Sequence, residues 1–92
     1  MKETLKKYIK KTDELLNSLA PLSETKSIFP KVHALRIEMQ DSLEKCTDEM
    51  LYPAVYNAAA TIASAPEGCS VRQLTEALCD AKAEMEMMLE YM

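Results

Sequence analysis

The chain has 92 residues and a formal net charge of −4, and it contains one Gly, one Phe and no Trp. Few of its residues favour β-strands, whereas the good helix formers Ala, Leu, Met, Glu and Lys are abundant. A modestly acidic chain is also a poor partner for nucleic acid, whose phosphates must be neutralised by Lys and Arg. We therefore expect a small all-α protein, folded as a single domain over residues 1–92.

The sequence also argues against secretion, a membrane span and disulfide bonding. Charged residues follow Met1 directly, where a secretory signal peptide would carry an apolar segment. The longest low-charge run, residues 51–66, is too short and too rich in Ala to span a bilayer. Cys46, Cys69 and Cys79 are odd in number and widely spaced, which is typical of reduced thiols. We therefore expect a soluble, cytoplasmic protein.

The first predicted helix covers residues 2–19, where apolar side chains recur at helical spacing along one face. Its N-terminal half is crowded with lysines, although the helix macrodipole disfavours cations there: Lys6, Lys7, Lys10 and Lys11. We interpret these lysines as attracted to an acidic neighbouring helix. The alternative is a basic docking face for an acidic partner or an anionic membrane, although a membrane is the weaker candidate.

The middle of the chain allows two arrangements. Ser27 is expected to cap a second helix that places Pro30 in its first turn, and apolar spacing continues from residue 28 to 51. Tyr52-Pro53 then marks either a corner before a third helix over 53–65, or a kink in one long helix over 28–65. We prefer the corner, because it gives an up-down bundle of three to four helices with a compact core.

The last predicted helix, over residues 70–92, has the most regular pattern. A turn at Gly68 precedes it, and Ser70 and Gln73 form a capping box at its start. Seven residues spaced alternately three and four apart then form one apolar seam, as in a coiled coil: Val71, Leu74, Leu78, Ala81, Met85, Met88 and Met92. This helix therefore needs partner helices.

A second apolar strip lies beside that seam. Met87 cannot face the same core as Met85 and Met88, because successive helical residues are about 100° apart. Apolar positions off the seam are therefore expected to be exposed or to contact a partner, and we interpret them as an interface: Cys79, Ala83, Met87, Leu89 and Tyr91. The alternative is that the methionines simply pack into the core.

No residue pattern indicates catalysis, a metal or a cofactor. His33 is the only histidine, and the cysteines lack the short spacing of zinc ligands. The carboxylates of the last helix fall on its outer side, as in an ordinary solvated surface. We therefore expect no enzyme activity, no metal, no cofactor and no small-molecule substrate.

The sequence favours a protein–protein interaction module that buries an apolar helix face. It would form a homodimer, or dock on a larger protein as an adaptor, chaperone or inhibitor. Residues 1–36 carry a net +4 and residues 37–92 a net −8, an asymmetry that would orient association. The alternative is a helix-turn-helix DNA-binding regulator over residues 58–78, with Arg72 and Gln73 reading bases. Acidic residues beyond Arg72 would repel phosphates and weigh against it.

Overall fold

The computed structural model describes residues 2–92, and in this part of the chain it contains four helices and no strand. The helices are α1 (Lys2–Leu19), α2 (Phe29–Lys45), α3 (Leu51–Ala63) and α4 (Val71–Glu90). They pack into a bundle of 39 × 23 × 17 Å. The predicted all-α fold and the small helical bundle are confirmed, and α1 has the bounds that the sequence predicted.

Consecutive helices run antiparallel, and α4 closes the ring by packing against α1. Tyr8, in the first half of α1, hydrogen-bonds to Ser42 near the end of α2. Lys82 of α4 contacts Asp13 of α1, while the later Leu89 lies near the earlier Ile9. The most extensive helix–helix packing joins α4 to α3 and to α1. Short connections between antiparallel neighbours account for this up-down order.

The core is centred on the seam of α4. Leu74, Leu78, Ala81 and Met85 are completely buried, while the seam residues at the two ends of the helix are half-buried. Burying one such Leu or Met side chain contributes roughly 1.5–3 kcal/mol to folding. The predicted seam is therefore the surface on which α1 and α3 assemble.

The corner between α2 and α3 lies upstream of the predicted position. α2 ends at Lys45 rather than at residue 51, and Cys46 adopts an extended backbone. Asp48 Oδ1 then accepts hydrogen bonds from the N–H groups of Met50 and Leu51 and so caps the start of α3. The long kinked helix over 28–65 is not formed, and the prediction of a helix to residue 51 was wrong.

Pro53 fits this arrangement as the third residue of α3 rather than the first. A helical N–H bonds to the carbonyl four residues earlier. The missing N–H of Pro53 would therefore have reached only residue 49, which precedes the helix. Proline is tolerated there, and the cap at Asp48, rather than Pro53, determines where the chain turns.

The starts of α2 and α4 are capped in different ways. Ser27 makes no capping bond to α2, contrary to the prediction; the carbonyl of Thr25 accepts from the N–H groups of Ile28 and Phe29 instead. At α4, Ser70 Oγ accepts from the N–H of Gln73, as the capping pattern predicted. Gly68 supplies the positive φ, 87°, of the preceding turn.

Neighbouring residues of α4 provide a test of the packing. Replacing the completely buried Leu78 with Ala should lower the free energy of unfolding by about 3–5 kcal/mol, because a cavity remains in the core. Replacing the exposed Cys79 with Ala should change it by less than about 0.5 kcal/mol. Urea unfolding followed by far-UV circular dichroism measures both, and similar losses in the two variants would contradict this placement of α4.

Candidate functional site

Four of the five residues predicted to form an interface on the last helix are exposed, and the fifth, Leu89, is half-buried. Cys79 and Ala83 are exposed on the outside of the helix, and Met87 is 55% exposed. Tyr91, just after the helix, is 70% exposed, whereas Leu89 is half-buried against the core. Met87 is therefore exposed, as the helical geometry required, while Leu89 packs partly buried against the core.

Met87 belongs to a shallow groove between α3 and α4, which we call the α3/α4 groove. Its volume is about 430 Å³, and both helices contribute to its lining: Ala54, Asn57, Ala60, Thr61, Glu84, Met87 and Met88. The α3 side is made of small side chains, and flexible thioethers form much of the α4 side. The groove is thus mostly apolar and open to solvent.

Glu84 is the charged residue of the α3/α4 groove, and half of its carboxylate is unpaired. The Thr61 hydroxyl lies 2.8 Å from Glu84 Oε1 and 2.9 Å from the carbonyl oxygen of Asn57, so it can donate to one of them at a time. Glu84 Oε2 is buried and has no hydrogen-bond partner. An unpaired buried oxygen is costly, so the Glu84 carboxylate is suited to accept a further hydrogen bond.

The outer face of α3 continues this surface without any charge. All thirteen residues of α3 are uncharged, and its exposed residues are Tyr52, Pro53, Tyr56, Asn57, Ala60 and Ala63. The rings of Tyr52 and Tyr56 stack with their centroids 6.2 Å apart, and these side chains are 44% and 55% exposed. A bundle helix normally carries charged residues on its solvent side, so this face is suited to contact another molecule.

The sequence interpretation missed Tyr52 and Tyr56. The available signal was the absence of charge over residues 51–66, which was used there only to exclude a membrane span. A charge-free amphipathic helix has no solvated face to turn outward. This feature could have identified α3 as a surface that contacts a partner.

The two cations of α4, Arg72 and Lys82, pair with carboxylates outside the α3/α4 groove. Lys82 contacts Asp13 of α1 at 2.8 Å, and this hydrogen bond raises the pKa of Lys82. Arg72 contacts Glu76 at 3.3 Å, and its side chain is 90% exposed. Because α3 carries no charge, the described part of these two helices presents carboxylates but no unpaired cation toward the α3/α4 groove. The local charge complements a cationic ligand.

The four lysines of α1 that the sequence offered as a docking face, Lys6, Lys7, Lys10 and Lys11, divide between two sides of the helix. Lys7 and Lys11 contact Glu38 of α2 at 2.8 and 2.6 Å, and hydrogen bonds from Lys11 and then Lys7 lower the pKa of Glu38. Lys6 and Lys10 line a groove that faces α4. An acidic neighbour within the chain thus accounts for Lys7 and Lys11, and the four lysines do not form one continuous face.

The arrangement of α3 and α4 differs from that of a helix-turn-helix. The second helix of that motif crosses the first at a steep angle after a short turn. Here the two helices lie antiparallel, so that Thr61 contacts Glu84 while the earlier Ala54 shares a groove with the later Met87. Arg72, the residue expected to read bases in that motif, contacts Glu76 on the exposed side of α4.

Residues suited to other chemistry are dispersed. Within residues 2–92, no three His, Cys, Asp or Glu side chains come together in an arrangement that could hold a metal ion. Cys46 and Cys69 are half-buried and Cys79 is exposed, each as a free thiol. Among the described helices, none combines the length and hydropathy needed to cross a lipid bilayer.

Comparison with protein-family models, with curated proteins and with solved structures finds no match to this chain. The features that bear on function are therefore those of the molecule itself, above all the α3/α4 groove and the outer face of α3.

The pairing of α1 with α2 is testable through Glu38. Replacing Glu38 with Gln should lower the free energy of unfolding at neutral pH by at most about 1 kcal/mol, since partly exposed ion pairs are screened by solvent. The folded-state pKa of Glu38 is lowered, so its contribution is complete above the ordinary glutamate pKa. It disappears as the pH falls through the lowered value.

Urea unfolding of wild type and variant across the acidic range, at low and high salt, measures this effect. Replacing the exposed Glu44 of the same helix with Gln is the matched control. The pairing of Glu38 with Lys7 and Lys11 would be contradicted if the loss of unfolding free energy in the Glu38 variant persisted at low pH. It would also be contradicted if the Glu44 variant lost the same amount.

Proposed function

We propose that this protein is a binding module without catalytic activity, and that it takes up an amphipathic helix of another protein in the α3/α4 groove. One observation carries the proposal: an exposed apolar groove, continuous with a charge-free helix face, is lined by Glu84, whose carboxylate has one oxygen without a partner. Binding would cover the apolar surface and satisfy that oxygen together.

A helix is the occupant that suits the shape of the groove. Two antiparallel helices form a straight depression, and the small Ala54 and Ala60 allow another backbone to approach closely. Met87 and Met88 can adjust to side chains of different shape, as methionines do in other helix-binding grooves. Apolar residues at helical spacing on the partner would enter the groove, and the nearby Tyr52 and Tyr56 would extend the contact.

The charge of the groove indicates a basic residue on the partner. A Lys or Arg donating to the Glu84 carboxylate would form a charge-assisted hydrogen bond in a largely apolar setting. Asp80, one helical turn before Glu84, is exposed and extends the acidic region. Complementary charges of this kind increase the association rate and select the register of binding.

The same charges disfavour a symmetric homodimer through this face. A two-fold interface places the same patch of each copy against the other. The acidic region of one copy, which includes Glu84 and Asp80, would then lie against the same region of the other copy, without an unpaired cation on α3 or α4 to separate the two. A different protein with a basic, amphipathic helix avoids this repulsion, so we assign the groove to such a partner.

Two synthetic peptides test the proposal on the full chain. Each would have about 18 residues, or roughly five helical turns, with leucines on one face and either lysines or glutamates on the other. We expect the lysine peptide to shift the amide resonances of α3 and of the second half of α4 in ¹H–¹⁵N spectra. The glutamate peptide should not do so, nor should a scrambled lysine peptide without an apolar face.

Variants then locate the site. Replacing Met87 with Lys should weaken binding of the lysine peptide at least about tenfold, because it places a cation beside Glu84 and removes an apolar contact. Replacing Ile37 with Lys is the matched control, because this α2 residue is 45% exposed and lies outside the groove. Replacing Glu84 with Gln should reduce the preference for lysine over glutamate.

Three outcomes would overturn the assignment. Equal loss of binding in the Met87 and Ile37 variants would show attraction to net charge alone. A dimer in light scattering that the Met87 variant abolishes would make a second copy the occupant. If duplex DNA at low salt shifted the amide resonances of Arg72 and Gln73, and the lysine peptide shifted no resonance, the helix-turn-helix alternative would be favoured.

A further inference from the structure

We propose that a second cavity, between the start of α2 and the end of α3, binds a small organic carboxylate. This α2/α3 cavity has a volume of about 430 Å³ and is lined by both charged and apolar side chains. It lies on the α2 side of α3, away from the α3/α4 groove, so the inference does not depend on the proposed helix-binding function.

Arg36 is the main reason to assign a ligand to this cavity. Its side chain lines the cavity from α2 and is half-buried, and its Nε is buried without a hydrogen-bond partner. Buried donors are almost always satisfied, so this guanidinium is suited to an acceptor that approaches Arg36 from the cavity. The described ion pairs involve other cations, and Arg36 contacts no carboxylate within ion-pair distance.

The surrounding charges are suited to an anion. Lys26 and His33 line the same cavity, and Lys26 has no ion-pair partner either. Glu67 is the carboxylate among the lining residues, so Lys26 and Arg36 leave the cavity net positive. His33 can donate a further hydrogen bond from one ring nitrogen even when it is neutral.

The apolar part of the lining favours a carboxylate with a hydrocarbon body over an inorganic anion. Phe29 and Pro30 on the α2 side, with Pro66 after α3, present ring and methylene surfaces beside the cations. A guanidinium and a carboxylate share a planar, two-pronged geometry that allows two parallel hydrogen bonds. A compact cleft with an apolar wall and few polar groups is typical of small-molecule sites. An aromatic or branched aliphatic monocarboxylate combines these features.

The test is a titration of the full ¹⁵N-labelled chain with benzoate, followed by ¹H–¹⁵N spectra that include the Arg36 Nε–H. We expect saturable shifts at Arg36, His33 and Ala63, with a dissociation constant on the order of 1 mM. Benzamide, which has the same shape without the charge, should cause no such shifts. Inorganic phosphate at equal ionic strength should bind more weakly, and tighter phosphate binding would overturn the assignment of a carboxylate.

Two further probes distinguish a free acid from a peptide terminus. N-acetylphenylalanine and its amide differ only in the carboxylate that a peptide C-terminus would present. Tighter binding of the acetylated acid than of benzoate would assign the site to a peptide C-terminus, and the reverse would assign it to a free small acid. The absence of saturable shifts with either acid would overturn the proposal.

Substitutions at Arg36 supply the control for specificity. Replacing Arg36 with Gln should weaken benzoate binding at least about tenfold, and replacing it with Lys should weaken it less, because one charge remains without the paired geometry. Replacing Lys31, an exposed lysine of the same helix outside the cavity, with Gln should change binding by less than about twofold. If the Arg36 and Lys31 variants lost the same amount of benzoate affinity, the binding would depend only on net charge. That result would overturn the assignment of a carboxylate site in the α2/α3 cavity. If the Arg36 variant does not fold, the contrast between benzoate and benzamide on the wild-type chain decides the question.

Discussion

Burial of the α4 seam is the interaction on which the rest of this structure depends. Leu74, Leu78, Ala81 and Met85 are completely inaccessible, and they are covered by α1 on one side and α3 on the other. The packing of α2 against the rest of the bundle is less extensive than the packing of α4 against α1 and α3. Most of the contact that α2 makes is with α3. A chain of this size buries only about two-thirds of its unfolded surface, so losing this one seam would remove much of the core.

The alanine content of α3 follows from its place in this arrangement. Ala54, Ala58 and Ala59 are buried, and their small side chains allow α3 to approach α4 closely. The same composition leaves α3 without charged residues, so its exposed residues are tyrosine, proline, asparagine and alanine. The inner side of α3 therefore packs closely in the bundle, and its outer side is an uncharged surface. The fold and the proposed function thus depend on the same helix.

Two buried polar atoms without partners lie on opposite sides of α3. Glu84, whose Oε2 is unpartnered, lines the groove that α3 forms with α4, and Arg36, whose Nε is unpartnered, lines the cavity that α3 forms with α2. The other buried polar side chains, Thr12 and Thr25, are hydrogen-bonded to the backbone. Because buried polar atoms are usually hydrogen-bonded, a carboxylate oxygen and a guanidinium nitrogen without partners on two sides of α3 are suited to ligands of opposite charge.

The sequence by itself determined the fold class, the bounds of α1, the seam of α4 and the exposure of Met87. Each of these follows from helical periodicity, which is a local property of the chain. It could not determine the end of α2, because Cys46 and Met50 continue the apolar spacing through a turn that Asp48 caps. Only the tertiary structure decided that Lys7 and Lys11 meet Glu38, that Tyr52 and Tyr56 remain exposed, and that one atom each of Glu84 and Arg36, Oε2 and Nε, lacks a partner. Those outcomes depend on how each helix is rotated and on which neighbour covers it, and residues distant in sequence set both.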